Sequence, residues 1–121
     1  MAVHRVERGS ADYYVYPGAT VRALRRYRAF SLPSGRRPRY PQGAECSCRG
    51  CSFDDVRHAR DVLDDVLRQL PARAREELGR RVAVLDAAYA RRTLPDPFAD
   101  GRQWRPDRWW RRRLAGGREG T

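Results

Sequence analysis

The sequence predicts a mainly α, single-domain protein built on an antiparallel helical hairpin, with a Cys-rich knuckle ahead of the first hairpin helix and irregular basic ends. Three observations lead there. Apolar residues recur every three or four positions through the centre of the chain, as in helices with one buried face. Leu, Ile, Val and Phe together supply only 21 of 121 residues against a net charge of +11, which fits a compact helical centre with looser ends. All three cysteines fall within six residues, just before the first patterned helix.

Residues 1–51 read as a basic, loop-rich segment. Tyr13-Tyr14-Val15-Tyr16 is a short β-prone run stopped by Pro17-Gly18. From Thr20 to Phe30, Val21, Leu24 and Tyr27 have helical spacing with Thr20 as a cap, although the aromatic and Arg content also suits a strand; helix is the reading taken. Residues 31–45 read as loop, because three prolines and two glycines leave no room for regular structure.

Residues 52–94 carry the hairpin. Ser52, with an acid three residues on, reads as the N-cap of a helix starting near Phe53. Val56, Ala59, Leu63, Val66, Leu67 and Leu70 then fall on one stripe, with Asp54, Arg57, Asp61, Asp64, Asp65 and Arg68 on the other side. Pro71 suits the first turn of a second helix. There Leu78, Val82, Leu85 and Tyr89 repeat at helical spacing until Leu94-Pro95-Asp96-Pro97 ends it. A hairpin alone makes a thin core, so one of the ends must cover it.

The cysteines carry the clearest chemistry. Cys46, Cys48, Cys51 and His58 have the spacing C-x-C-x2-C-x6-H, the donor set that tetrahedral zinc takes in structural sites. A helix N-terminus and Arg49 would both favour thiolates there. Zinc is the expected cofactor; an iron–sulfur cluster and metal-free thiols are the other readings, and His4 is the alternative fourth ligand. The close Cys46-Ser47-Cys48 spacing strains a single tetrahedron. A second constellation, Asp54, His58, Asp61 and Asp65, forms one line on the first hairpin helix. It reads as a solvated polar face more readily than as a catalytic site. No nucleophile–base set or Gly-rich phosphate loop is present, so no enzyme is expected.

The charge is distributed unevenly. Residues 1–51 hold ten Arg against three acids, residues 52–101 nine against ten, and residues 102–121 seven against two. All 26 basic residues are arginine, a bias that also fits a GC-rich genome. In residues 95–121 all three tryptophans interleave with arginines. Arg neutralises phosphate and Trp stacks on bases. The nucleic-acid-binding set is therefore Arg25, Arg26, Arg28, Arg36, Arg37, Arg39, Trp104, Arg105, Arg108, Trp109, Trp110, Arg111, Arg112 and Arg113. The competing reading packs Phe98, Trp104 and one of Trp109 or Trp110 onto the hairpin. The expected function is a zinc-stabilised basic protein that binds nucleic acid through its Arg-rich ends. The alternative is an adapter that docks an acidic protein through the hairpin or the Trp/Arg-rich segment. No apolar run reaches membrane-spanning length and no secretory signal is visible, so the expected location is cytoplasmic, with no membrane partner and no small-molecule substrate.

Overall fold

A computed structural model of the chain describes residues 2–33, 35, 37–99 and 107–116. Among them run four helices, α1 (Ala2–Gly9), α2 (Ala19–Ser31), α3 (Val56–Gln69) and α4 (Ala72–Arg92), with one-turn 3-10 segments at Cys51–Asp54 and Trp109–Arg112. The described residues form no strand. Tyr13 and Tyr14 lie in a turn closed by a hydrogen bond from the Val15 amide to the Asp12 carbonyl (3.1 Å), which corrects the β-prone expectation. Strand preference is mostly a preference for packing on a pleated neighbour, and none is offered here.

The first helix was not expected, and its purpose explains why. Glu7 reaches across from α1 to the start of α2, where its two carboxylate oxygens accept the amides of Gly18 (3.0 Å) and Thr20 (2.9 Å). Gly18, with a left-handed φ of +91°, makes the turn into the helix. Thr20 is therefore not the cap; a residue from another helix is. Burial pushes the Glu7 carboxyl up, but the donors from Thr20 and Gly18 outweigh it and hold the group below the ordinary range. On α2 the buried apolar residues are Ala19, Ala23, Tyr27 and Phe30, while Val21 faces outward.

The cap of α3 also differs from expectation. Ser52 sits in the 3-10 turn and the helix starts at Val56, capped by Asp55, whose Oδ1 accepts the Arg57 amide at 2.9 Å. The same carboxylate pairs bidentately with the Arg57 guanidinium (2.9 Å each), and both side chains are buried. The charged pair thus fixes the start of α3 more firmly than a serine hydroxyl could.

The apolar stripes behave as read. Val56, Ala59, Leu63, Val66 and Leu70 of the first stripe and Leu78, Val82, Leu85 and Tyr89 of the second are all buried. The cover for α3, however, comes chiefly from α2, which packs against it more extensively than α4 does. The organising unit is the α2–α3 pair, with α4 laid across both. Asp86 of α4 ties the three together: it accepts the Tyr27 hydroxyl of α2 (2.6 Å) and a two-point contact from Arg60 of α3 (2.8 and 3.1 Å). Burial and the Asp86 charge keep the Tyr27 phenol protonated.

Residues 107–116 form a strap over α3 and the end of α4. Trp110 is 2% exposed and stacks under the Arg60 guanidinium (4.0 Å), while half-buried Trp109 meets Tyr89 edge-on. Phe98, expected in the core, is instead 73% exposed. The strap then pairs with the chain leaving α4, through Asp96 N to Arg112 O (3.0 Å) and Leu114 N to Leu94 O (2.7 Å). No described helix is long and apolar enough to cross a membrane.

Candidate metal centre and basic surface

The Cys loop runs from Cys46 into the 3-10 turn that begins at Cys51. The turn is closed by Ser52 N to Cys48 O (3.0 Å) and Phe53 N to Gly50 O (3.3 Å). Arg26 of α2 holds it from beneath, donating to the carbonyls of Phe53 (2.7 Å) and Asp54 (2.8 Å). The tyrosine turn clamps it from the side. Tyr14 gives its hydroxyl to the Ser47 carbonyl (2.6 Å), and Arg49 donates to the Tyr13 carbonyl (2.7 Å) while lying over the Tyr13 and Tyr16 rings.

These restraints bring the three sulfurs together. Cys46, Cys48 and Cys51 are all exposed and unbridged, and their Sγ atoms lie within 4.8 Å of one another, with Cys46 and Cys48 at 3.2 Å. Zinc with four bonds of about 2.3 Å requires sulfurs about 3.8 Å apart, a spacing between the 3.2 Å of the Cys46–Cys48 pair and the 4.8 Å that bounds the triad. Three clustered cysteines could hold a metal ion.

The electrostatics of the triad are internal to it. The Cys51 amide, then the Cys51 and Cys46 thiols, donate toward Cys48 and lower its pKa to about 7. The Cys51 thiol, donating to Cys46 and Cys48, is pushed up to about 12. The triad therefore polarises itself, with Cys48 as its readiest thiolate. α3 itself starts five residues beyond Cys51, so the helix-end amide that acts is that of the 3-10 turn, and Arg49 lies over the Tyr13 and Tyr16 rings.

His58 stands outside the sulfur group. It is buried, set edge-on against Tyr14 (4.5 Å) and Phe53 (5.1 Å), and burial lowers its pKa, so the ring is neutral. It supports the wall of residues on which the loop rests. His4 lies exposed on α1 and is likewise absent from the group.

Comparison with protein-family models, curated proteins and solved structures gives no match. Every functional statement about the chain rests on its own geometry.

The arginine set divides into two groups. Arg26 is committed to the Cys loop. Arg39 lies over Phe30 (4.6 Å) and donates to the Phe30 carbonyl (2.8 Å) near the end of α2. Arg108 meets Asp61 (3.1 Å) and Asp65 (2.8 Å), Arg111 meets Asp61 (2.6 Å), and Arg113 donates to the carbonyls of Ala90 and Thr93 at the end of α4. Half-buried Arg112 also has partners within the chain. Arg25, Arg28 and Arg37 are exposed. Arg36, Trp104 and Arg105 lie outside the described residues. The line Asp54, His58, Asp61, Asp65 is not a solvated face: Asp61 accepts the Trp110 indole N–H (2.6 Å) besides two arginines, and His58 is buried.

Sequence reasoning missed the tyrosine clamp and a groove between α2 and α4. The clamp residues were visible as an aromatic run but had been assigned to a strand. Val21 and Val84, which flank the groove, are apolar yet exposed, and only a helix wheel that left them off the core face would have singled them out.

Proposed function

We propose that the protein is a small, non-catalytic binding protein whose Cys loop is stapled by one zinc ion and whose basic surface takes an acidic protein partner. The observation that supports zinc is the triad itself: three thiols on a loop already held in place by Tyr14, Arg26 and Arg49. Three thiolates leave a fourth position for solvent or for a donor from outside the triad. Metal binding needs the thiolates, and the raised Cys51 must give up its proton, so uptake is tighter at higher pH.

Elemental analysis of anaerobically purified protein tests this. One zinc per chain is expected, with none in the variant carrying all three Cys→Ser changes. Metal-free protein, or zinc retained by that variant, overturns the reading.

The partner reading rests on where uncommitted charge remains. Trp109 and Trp110, two of the tryptophans expected to stack on bases, are packed against Tyr89 and Arg60, and strap arginines are engaged with Asp61, Asp65 and the end of α4. That favours the adapter over the nucleic-acid reading. A complex formed in the native cells is expected to survive nuclease treatment. Complete release by nuclease would restore nucleic acid as the partner, through Arg25, Arg28 and Arg37.

A further inference from the structure

The second exposed face of α2 opposes that of α4 across an open groove of about 450 Å³. From α2 come Val21, Leu24, Arg25, Arg28 and Leu32, at i, i+3, i+4, i+7 and i+11, one continuous helix face. From α4 come Arg81, Val84 and Leu85. Leu24 and Leu85 make an apolar floor. Val21 and Val84 are 53% and 64% exposed, which is uncommon for β-branched apolar residues standing on either side of one depression. A second, separate depression shares Leu32 with it and is lined by Pro33, Ala88, Arg91 and Arg92. No acidic residue lines either, and none pairs with Arg25, Arg28 or Arg81 among the described residues.

We infer that this groove is the docking site, and that its occupant is an acidic amphipathic helix of a partner protein. The inference rests on the acidic-partner reading above and adds the surface and the chemistry that fills it. An apolar floor between two helices with cationic rims matches a helix that lays apolar residues at i, i+3, i+4 and i+7 into the groove and carries carboxylates on its flanks. Charge complementarity then fixes orientation and speeds encounter. Nucleic acid fits less well: the lining is aliphatic, with no aromatic side chain on which a base could stack. A second copy of this chain would bring arginine against arginine.

The test uses the full-length, metal-loaded protein and fluorescence anisotropy with three labelled probes. They are an 18-residue synthetic helix with leucines at helical spacing and glutamates elsewhere, a peptide of the same composition with the leucines scrambled, and a 20-nucleotide uridine RNA. The helical peptide is expected to bind at least tenfold more tightly than the scrambled one. Val84→Glu should weaken it at least tenfold while the far-UV circular dichroism and melting temperature stay unchanged, because the side chain is exposed. Arg25→Glu with Arg28→Glu should weaken it further and flatten its salt dependence. Equal binding of both peptides, or indifference to Val84→Glu, overturns the groove and leaves the acidic-partner reading standing. Tighter binding of RNA that responds to the arginine changes and not to Val84→Glu overturns both. So does the absence of binding by every probe.

Discussion

The strap and the Cys loop are both irregular segments laid against α3, one reaching on to α4 and the other to α2, yet they are held by opposite means. The strap brings its own countercharges: Arg108 and Arg111 meet Asp61, Asp64 and Asp65, Arg68 meets Asp107, and Trp110 fills the space beneath Arg60. The Cys loop offers three exposed, unbridged thiols that polarise one another, lowering Cys48 and raising Cys51. Paired charges with a buried aromatic anchor complete themselves. A cluster of soft donors offers itself to an ion from outside.

The most severe way to break that contrast is to remove the anchor. Trp110→Ala should cost about 4 kcal/mol, the range for emptying a filled aromatic site, and urea unfolding followed by circular dichroism measures it. Next comes Asp61→Ala, which strands two guanidinium groups and the indole N–H. Loss of one partner from a largely buried charge network costs about 3 kcal/mol, read from the same urea curves with Asp61→Asn as a partial rescue. Neither change should alter zinc stoichiometry.

Cys48→Ser sharpens the comparison from the other side. In metal-free protein it should leave the unfolding midpoint where it was, while abolishing the rise in melting temperature that zinc gives to the parent. A large loss of metal-free stability would mean that the loop, too, is part of the self-supporting fold.

The smallest effect concerns Asp65. Burial raises its pKa, Arg108 opposes, and neighbouring Asp12 adds to the rise, leaving it at about 6. The folded state then holds this proton more tightly than the unfolded chain, so the contribution of Asp65 to stability improves as pH falls from about 6 toward 4. Asp65→Asn should therefore stabilise the protein by about 1 kcal/mol at pH 7, fading by about pH 4. Denaturant titrations at the two pH values give the sign, and a loss at pH 7 would place Asp65 with Asp61 as a net support of the strap.

What could be read from the sequence was local. The stripes of α3 and α4 are periodic within one helix, and the thiol triad sits within six residues, so both were legible. The pairings that position them are distant. Glu7 caps a helix eleven residues away, Tyr14 reaches Ser47 across 33, and Trp110 finds Asp61 across 49. A Glu at the end of a short basic helix, or an Asp on a face without apolar residues, carries no local sign of such a partner. The same blindness made the strap arginines look available, since charge can be counted from sequence but its neutralisation cannot.

The span of those pairings has a further consequence. Contacts that close loops of 43 to 50 residues form late, after the local helices, and a segment held by such contacts opens before the helices it covers. The opened form would bare a row of three carboxylates, Asp61, Asp64 and Asp65, beside the hollow left by Trp110. The strap is in that sense a tethered basic ligand for its own domain, and hydrogen exchange should show the amides of 108–114 releasing together while those of α3 remain protected.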